Sequence, residues 1–548
     1  MAGDPRSFRH AVVPAAGRCL LPLSGLAPVK VAAFPAPDRR GALRLLGAGA
    51  LAAGLPLGLG ACGFATPPKP VKGGRLRVAT PASSTADTID PARQTVVTDY
   101  CRCHMFYDGL TRLDAHSRAE PALAEAIDSS DARIWTVKLR PGVRFHDGKP
   151  LTADDVVYSI RRHKDPAIGS KAAAFAGQFA DVRAMGSDAV RITLTGPNAD
   201  LPVILGLPQF QIVRAGTTDF ATANGTGAFR CVEFQPGVRS VAARNEDYWR
   251  GPVHLGEVEL FSIADDSARV NALLSGDVDL INSVNPRISR HIRKAGFGVL
   301  ETKTGGYTDL VIRLDRAPGN NPDFVAGMKL LMDRPAMRDA VFRGYATIAN
   351  DQPIPPTNPY FATDLPQRAF DPERAAYHFR KAGMAGATIP LVSSTAAEKS
   401  DDLGVVMQQA ARRAGITLDL RRAPADGYWT NSWMKVPMGF GNVNPRPTAD
   451  IIFTQFFSSD GPWNESAWHD ARFDRLLLEA RGSTDEGVRR AIYGEMQHRI
   501  HDGSGVGIPL FLSLLDAHSP KVKGLRPMPS GGLMGYDFAS HVWLDEKA

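Results

Sequence analysis

Strand-like and helix-like segments alternate along the chain without a fixed repeat, and this alternation limits the fold more than any other feature. Short runs with a two-residue alternation, such as residues 76–80 and 135–140, predict strands. Longer amphipathic runs, such as residues 153–162 after the capping residue Thr152, predict helices. This interleaving over 548 residues favours α/β lobes and argues against a solenoid or an all-β sandwich.

Composition excludes several classes of protein. Hydrophobic residues make up 44% and charged residues 22%, which is typical of a globular chain and not of a disordered, fibrous or polytopic membrane protein. The formal net charge is +7, but the seven Lys and Arg against two Asp in residues 1–62 account for five of these charges. The remaining chain carries +2 and lacks a basic footprint, so we expect no nucleic-acid partner.

Residues 1–72 predict an export signal followed by a linker. Arg39-Arg40 precedes an uncharged run, residues 45–68, that is rich in Ala, Gly and Leu, which suits an export signal better than a membrane span. Residues 38–44 resemble the twin-arginine signal without its Ser and Phe, and an ordinary Sec leader is the alternative. The long stretch before the arginine pair is consistent with a start codon placed too early. We expect the folded protein to begin near Gly73.

A possible lipidation site follows the apolar run. Leu59-Gly60-Ala61-Cys62 resembles a bacterial lipobox, in which the cysteine is acylated and becomes the first mature residue. The alternative is cleavage just beyond, with Cys62 removed. Both routes predict a periplasmic protein, and the first predicts one anchored to the membrane through Cys62.

A family resemblance begins in residues 135–161. There, strand-like alternation leads through turns at Pro141-Gly142 and His146-Asp147-Gly148 to the helix capped by Thr152. The segment strongly resembles the signature of family 5 extracellular solute-binding proteins, the dipeptide-, oligopeptide- and nickel-binding receptors of ABC importers. Further similar segments follow in family order, and together they extend the resemblance over nearly all of residues 73–548: 225–229, 244–249, 272–280 and 371–376.

The resemblance implies a fold and a function. The expected fold is α/β: a two-lobed periplasmic-binding-protein fold of type II, in the large class with an extra subdomain. The expected function is capture of a peptide or similar small polar solute, and its delivery to ABC transporter permease subunits, by a monomer without a cofactor. The expected division of the chain is a discontinuous lobe I at 73–115, 215–305 and 510–548, an inserted subdomain at 116–214, and lobe II at 306–509.

Two charged residues close together are the main candidates for binding the solute. In peptide-binding relatives an Ala-Asp step supplies the carboxylate for the peptide's amino terminus, and by this match Asp450 is the candidate here. Arg446 lies between two prolines and is a fixed cation that suits two-pronged binding of a carboxylate or phosphate. The alternative is that Arg446 and Asp450 simply pair with each other.

Aromatic and hydroxyl side chains complete the predicted ligand site. Trp429 and Trp463 flank the Arg446 region in sequence and suit an apolar cleft wall, although tryptophan also fills cores. Ser83 and Ser84 follow the first strand, where relatives line the cleft. We expect His146 to have a structural role.

Metal binding and catalysis have little support in the sequence. Cys101 and Cys103 are two apart on a predicted helix and point in different directions, so they favour packing, or one disulfide to Cys231, over a metal site. No Walker A loop, dinucleotide fingerprint, zinc-protease motif or nucleophile elbow is present, so we expect neither cofactor nor enzymatic activity. The alternatives are a nickel, metal-chelate, opine or sugar-conjugate receptor on the same fold, and an exported hydrolase.

Overall fold

The computed structural model describes residues 69–545. The predicted export signal and Cys62 lie outside the described residues. Strands β1–β20 and helices α1–α14 are numbered in chain order, and short 3-10 turns join some of them. These turns lie at Pro91–Arg93, Arg162–Lys164, Pro166–Ile168, Pro208–Phe210 and Phe538–Ser540.

The first part of the chain starts the main sheet and then forms a separate four-stranded antiparallel sheet of order β4-β5-β7-β6. Helix α2 begins at the predicted cap, where Thr152 and Asp155 form a capping box. Residues 143–146 alternate in polarity but do not form a strand; within them Arg144 makes an isolated bridge with Pro150 between β5 and α2. The elements are β1 (Arg75–Thr80), α1 (Val97–Phe106), β2 (Thr111–Leu113), β3 (Ala119–Pro121), β4 (Ala124–Asp128), β5 (Ile134–Leu139), α2 (Ala153–Arg161), α3 (Ala173–Ala176), β6 (Phe179–Ala184), β7 (Ala189–Leu194) and α4 (Leu201–Ile204).

The next part returns to the main sheet. β1 pairs in parallel with β10 on one side and with β11 on the other, while the β8-β9-β10 meander is antiparallel. The hairpins place successive short strands side by side. The elements are β8 (Phe229–Gln235), β9 (Arg239–Arg244), β10 (Glu257–Ser262), α5 (Asp266–Ser275), β11 (Leu280–Ile281) and α6 (Ser289–Lys294).

The last part is rich in helices, most of which start at Asp, Asn or Thr caps such as Asp371 before α9. The elements are β12 (Gly298–Ile312), α7 (Pro322–Leu330), α8 (Arg334–Phe342), β13 (Ala346–Ile348), α9 (Pro372–Lys381), β14 (Thr388–Ser393), α10 (Ser400–Arg413), β15 (Thr417–Arg422), α11 (Tyr428–Asn431), β16 (Met438–Val443), α12 (Ala449–Phe456), α13 (Ala471–Gly482), α14 (Glu486–Gly503), β17 (Val506–Gly507), β18 (Leu510–His518), β19 (Val522–Lys523) and β20 (Trp543–Leu544).

Two long strands connect the halves of the main sheet, whose order is β15-β14-β16-β12-β18-β11-β1-β10-β9-β8. The 15-residue β12 pairs with β18 from Gly298 to Lys303 and again at Tyr307, with a register shift between these two positions. From Tyr307 to Ile312 it also pairs with β16. β18 in turn pairs with β11 through Ala517 and His518. The sheet therefore passes from one half to the other through β12 and β18.

Separate hydrophobic clusters surround this sheet. One is built from residues 110–212 around the small sheet, and one packs α1 against β1, β8, β9, β10 and residues 522–544. Two more pack the helices of residues 307–511, and a small cluster that includes Leu515 and Ala517 covers the crossing strands. The clusters supply a separate apolar core for each region. The boundaries of the predicted lobes and subdomain stay a prediction.

Candidate ligand-binding site

A cavity of about 750 Å³ opens between residues of both halves of the main sheet. One side comes from α1, the segments around β2 and residues 206–211, and residues 526–541; the other includes the turn 444–447 that follows β16. A mixed polar and apolar lining of this size suits a small-molecule site. The charged and aromatic lining residues used below are Tyr100, His104, Asp108, Arg112, Arg250, Arg446, Arg526, Tyr536, Asp537 and His541.

Asp108 is a buried carboxylate in the cavity wall, and two of the family-like segments supply its partners. The Thr226 hydroxyl donates to it across 2.9 Å, the Tyr248 hydroxyl across 3.0 Å and the Trp249 indole N–H across 2.8 Å. Arg250 lies 3.8 Å away. Burial raises the pKa of Asp108, although these donors and Arg250 oppose the shift. The Tyr248-Trp249 pair therefore fixes a wall of the cavity.

The glycines beside Thr226 are required by close packing. A Cβ on Gly225 would lie 2.0 Å from the carbonyl oxygen of Phe106, and one on Gly227 would lie 2.5 Å from that of Met105. This approach brings Thr226 to Asp108. His146 Nε2 lies 3.0 Å from the Gly227 carbonyl oxygen and does not line the cavity. Its contacts agree with the expected structural role.

Asp537 is the second carboxylate of the lining. Its Oδ2 lies 3.6 Å from Arg250 and 3.3 Å from His541. Burial by itself raises the pKa of Asp537, but the hydrogen bond from His541 and the charge of Arg250 outweigh it and hold the pKa well below its ordinary value. Arg250 therefore lies close to both lining carboxylates.

Arg446 lines the cavity, where its guanidinium is held by neutral groups. Nε donates to Gln455 Oε1 across 2.8 Å, and Nη1 donates to the Asn444 carbonyl oxygen across 3.0 Å. The guanidinium carbon lies 5.5 Å from the ring centroid of Phe456 and 5.7 Å from that of Trp463. Burial lowers the pKa of Arg446. The structure thus joins two predicted site residues, Arg446 and Trp463, although Trp463 itself is outside the lining.

Asp450 lies outside the cavity lining, near the start of α12. Its carboxylate accepts a hydrogen bond from Arg481 Nε at 2.9 Å, and Arg481 also donates to the Thr454 hydroxyl. Burial raises the pKa of Asp450 to about 6 against the opposing charge of Arg481. Within residues 69–545 Arg446 and Asp450 do not pair with each other, since each has a different partner.

The other predicted ligand residues also lie away from the lining. Trp429 is exposed and packs edge-on against Tyr428 and Trp433. The Ser83 hydroxyl and the Ser84 backbone N–H donate to the Asp87 carboxylate, which forms a local turn next to the lining residue Ala82. Contact of Trp429, Ser83, Ser84 or Asp450 with a ligand stays a prediction.

An aromatic wall was not predicted from the sequence. The rings of Tyr100 and Tyr536 stack with centroids 4.9 Å apart, and His104 lies 5.9 Å from Tyr536. Burial lowers the pKa of His104. Tyr100 and His104 are four residues apart on α1 and therefore share one helix face. This spacing could have indicated the aromatic wall from the sequence.

An unusual turn places Tyr536 in this wall. Leu533, Met534 and Tyr536 have φ values of 50°, 58° and 77°, so the turn is left-handed at residues other than glycine. The Asp516 carboxylate accepts hydrogen bonds from the Leu533 backbone N–H and from Asn282, at 2.6 and 2.7 Å. Asp516 belongs to the crossing strand β18, so this strand supports the cavity wall directly.

The cysteines do not form the disulfide left open by the sequence. Cys101, Cys103 and Cys231 are free, and the first two are buried. Burial raises the pKa of the Cys103 thiol. Within the described chain, no group of three or more His, Cys, Asp or Glu side chains has an arrangement that could hold a metal ion. His104 and His541 both line the cavity, but the second is bound to Asp537.

Comparison with solved structures identifies the fold. The fold matches HbpA2 from Haemophilus parasuis with a TM-score of 0.78 at 21% identity, covering 86% of this chain and 100% of that one. It also matches DppA from Helicobacter pylori, solved with a bound peptide, with a TM-score of 0.68 at 22% identity, covering 87% and 99% of the two chains. The fold is thus the two-lobed type II fold of periplasmic binding proteins.

The family follows from the sequence comparison. Residues 118–465 match the model described as bacterial extracellular solute-binding proteins, family 5 middle, and the chain belongs to this family. Heme-binding protein A of Haemophilus influenzae is 26% identical over 473 residues, covering 78% of this chain and 84% of that protein. Di/tripeptide-binding protein 2 of Pseudomonas aeruginosa is 25% identical over 502 residues, covering 83% and 92%. These relatives are binding proteins.

Between residues 69 and 545, none of the helices has the length and apolar character to cross a membrane.

Proposed function

We propose that this solute-binding protein is a periplasmic receptor of an ABC importer that captures a peptide or a similar small polar solute and delivers it to the permease subunits as a monomer. The observation that carries the proposal is the environment of the Arg446 guanidinium. Its guanidinium faces a cavity between the two halves of the sheet, and in the described residues it has no carboxylate partner. A partly buried cation without a counterion favours an anionic group of a ligand.

The mode of binding follows from the hydrogen-bonding groups of Arg446 and from the position of the cavity between the two halves of the sheet. Gln455 and the Asn444 carbonyl accept from Nε and Nη1 of Arg446. Nη2 is left to donate a charge-assisted hydrogen bond to a solute carboxylate. The cavity is walled by segments of both halves, so a solute that contacts both favours the closed arrangement over an open one. β12 and β18 are the proposed hinge because the sheet passes through them.

The proposal includes the predicted division of the chain and its export. The proposed lobe I, inserted subdomain and lobe II retain the boundaries given above, and their support is the separate apolar clusters on either side of the crossing strands. The proposed export route is the twin-arginine pathway, with Cys62 either acylated as a membrane anchor or removed. The family description as extracellular supports export.

The experiment is a measurement of reversible binding by the chain from Gly73 onward. Thermal shift and calorimetry with pooled di- and tripeptides are expected to show saturable binding that raises the melting temperature, because a ligand of the folded state stabilises it by mass action. Arg446→Gln is expected to weaken binding at least about tenfold, as expected from loss of a charged hydrogen bond. Arg446→Lys keeps the charge and is expected to lose less affinity.

The matched control is Arg421→Gln, because Arg421 is an exposed arginine paired with Asp419 and outside the cavity lining. Equal affinities of the wild type and Arg446→Gln would remove Arg446 from the site. Mass spectrometry of the same mixtures is expected to return the peptides intact, and hydrolysed peptides would instead support the exported hydrolase.

A further inference from the structure

A second cavity, of about 580 Å³, shares no residue with the candidate ligand-binding site and is lined mainly by arginines. Three of them, Arg287, Arg290 and Arg293, come from α6 and the residues just before it. The fourth, Arg343, follows the end of α8. Among the described residues no Asp or Glu belongs to this lining, and arginine stays charged at any physiological pH. We call this cavity the arginine pocket.

The spacing of residues in and before α6 explains why the arginines face outward. Ile292 is buried in the apolar cluster that covers the crossing strands, and Ile288, four residues earlier, packs against the same cluster. Arg287, Arg290 and Arg293 are three residues apart and follow the opposite side of the helix, where all three are exposed. The apolar face therefore fixes α6 to the body of the protein and presents the guanidinium groups to the pocket.

The positive charge of the pocket is largely uncompensated. Arg287 Nη2 lies 3.4 Å from Asp402 Oδ2, and both of these side chains are exposed. The side chains of Arg290 and Arg343 have no hydrogen-bond or ion-pair partner in the described part of the chain. The chain after residue 62 carries a net charge of only +2, so this excess of positive charge is local. Like charges held close together repel, and an anion between them removes the repulsion.

Arg293 is held in place by neutral groups. It donates a hydrogen bond to the Tyr345 hydroxyl, and its guanidinium carbon lies 5.5 Å from the centroid of the Tyr345 ring. Nη2 also donates to the Val299 carbonyl oxygen across 3.4 Å. Tyr345 in turn packs against the apolar cluster that covers the crossing strands. These contacts restrict the orientation of Arg293 without neutralising it, which lowers the entropic cost of binding an anion.

Arg343 has a backbone conformation that glycine adopts more easily. Its φ of 55° and ψ of 32° lie in the left-handed region, at the position after a helix where glycine is usual. Glycine at this position would therefore favour the backbone and remove only the side chain. The substitution Arg343→Gly thus separates the charge of the pocket from the stability of the fold.

The pocket also lies beside both crossing strands. α6 leads into β12, and Tyr345 directly precedes β13, which pairs with β18. Arg287, Arg290 and Arg293 fall in the predicted lobe I, whereas Arg343 falls in the predicted lobe II. An anion that contacts α6 and Arg343 together therefore connects segments from both sides of the predicted boundary.

From these observations we propose that the arginine pocket is a binding site for a phosphate-bearing anion. A phosphate monoester carries about −1.5 to −2 charges at pH 7, against one for a carboxylate, and so suits several uncompensated guanidinium groups better. Arginine binds phosphate oxygens in a two-pronged manner. The lining offers a proline and a tyrosine ring as its apolar surface, so the phosphate groups carry the recognition. The site is separate from the cavity of the proposed function and goes beyond that function.

The test is calorimetry with inorganic pyrophosphate at low ionic strength, on the chain from Gly73 onward. We expect binding to one site, with an affinity that falls as salt is added because exposed charges are screened. Arg290→Gln and Arg343→Gly are each expected to weaken binding at least about tenfold. Arg343→Gly is also expected to keep or raise the melting temperature, since glycine adopts a positive φ freely. Loss of binding in this variant then cannot come from misfolding.

Two further variants serve as controls. Arg421→Gln is matched, because Arg421 is an exposed arginine that pairs with Asp419 outside both cavities, and it is expected to bind pyrophosphate as the wild type does. Arg446→Gln removes the cation of the other cavity and is also expected to leave pyrophosphate binding unchanged. Loss of binding in Arg446→Gln would overturn the proposal, as would equal affinities of the wild type, Arg290→Gln and Arg343→Gly. Acetate binding as tight as that of pyrophosphate would overturn the choice of phosphate.

Flotation with lipid vesicles distinguishes the two sources of such a phosphate group. Vesicles of phosphatidylcholine with phosphatidylglycerol that retain the wild type but not Arg343→Gly, and release it when pyrophosphate is added, would identify a lipid headgroup. Pyrophosphate binding without retention on these vesicles would identify a free phosphate compound. Vesicles of phosphatidylcholine alone are the control for contacts that do not depend on anionic lipid.

Discussion

Arg489 donates a hydrogen bond to the carboxylate of Asp200, although 289 positions separate them in the sequence. Asp200 precedes α4 in the predicted subdomain, and Arg489 lies on α14 in the predicted lobe II. Both side chains are buried, and the Tyr360 hydroxyl accepts from the same guanidinium at 2.9 Å. A backbone bond from Ala199 N–H to the Arg481 carbonyl, at 2.9 Å, adds to this contact between two separate apolar clusters.

The first prediction is that this ion pair favours the closed arrangement. Asp200→Asn leaves the Arg489 charge buried without its counterion, which costs about 3–5 kcal/mol in comparable cases. We expect weaker solute binding and a larger radius of gyration by small-angle X-ray scattering. Asp188→Asn, an exposed site in the same region, is expected to change neither quantity. Unchanged affinity and dimensions in Asp200→Asn would contradict a role in closure.

The second prediction concerns Asp450 and Arg481. Arg481→Gln removes the cation that faces a buried carboxylate, so we expect the free energy of unfolding at pH 7 to fall by about 1–3 kcal/mol. Because the pair lies outside the cavity lining, the affinity of the folded variant for the pooled di- and tripeptides is expected to equal that of the wild type. Chemical denaturation and calorimetry measure the two quantities. Lower affinity with unchanged stability would instead favour the ligand role predicted for Asp450.

The third prediction is a pH dependence from Asp516. Burial raises its pKa to about 6 from the ordinary value of 3.8. A carboxyl whose pKa is raised by folding stabilises the fold fully below pH 3.8, and this contribution is lost as pH rises through 6. A shift of about two pKa units corresponds to about 3 kcal/mol.

The comparison for this prediction is Asp516→Asn, which cannot ionise. Between pH 4 and pH 7 we expect the free energy of unfolding of the wild type to fall relative to that of the variant by an amount of this order. Denaturant titrations at several pH values measure the difference. A difference that does not change over this range would contradict a raised pKa.

The fourth prediction concerns glycines in two environments. Gly225→Ala places a methyl group against the backbone of Phe106, so we expect a loss of several kcal/mol in the free energy of unfolding or a failure to fold. Gly494→Ala is the control, because Gly494 lies in α14 with no atom within 4 Å of the added Cβ. Since alanine favours a helix over glycine by about 1 kcal/mol, the control is expected to be stabilised. Thermal unfolding distinguishes the two variants, and equal effects would contradict the packing argument.

Local signals in the sequence predicted individual elements correctly. The strands predicted at residues 76–80 and 135–140 correspond to β1 and β5. The start of α2 at its Thr152 cap also agrees with the prediction, because a cap and the helix it starts are neighbours in sequence. The length of β12 was not predicted, since only part of it follows a simple alternation. Its pairing with both β16 and β18 extends it to 15 residues.

Some residues of the candidate site could likewise be predicted from the sequence, and others could not. Arg446 could be singled out because two prolines restrict its backbone, and the cavity lining includes it. Asp108 and Tyr536 could not be singled out. The position of the Asp108 carboxylate depends on donors more than one hundred residues away in the sequence. The position of the Tyr536 ring depends on a left-handed turn stabilised by Asp516.

By itself, the sequence determined the family, the α/β class and the presence of a fixed cation, because motifs, periodicity and capping act between neighbouring residues. The tertiary structure alone decided which charges remain available to a solute. Asp450 pairs with Arg481, and Asp108 and Asp537 share Arg250, while the acceptors that Arg446 meets within residues 69–545 are neutral. Ion pairing depends on distance in space, and residues remote in sequence become neighbours only when the chain has folded.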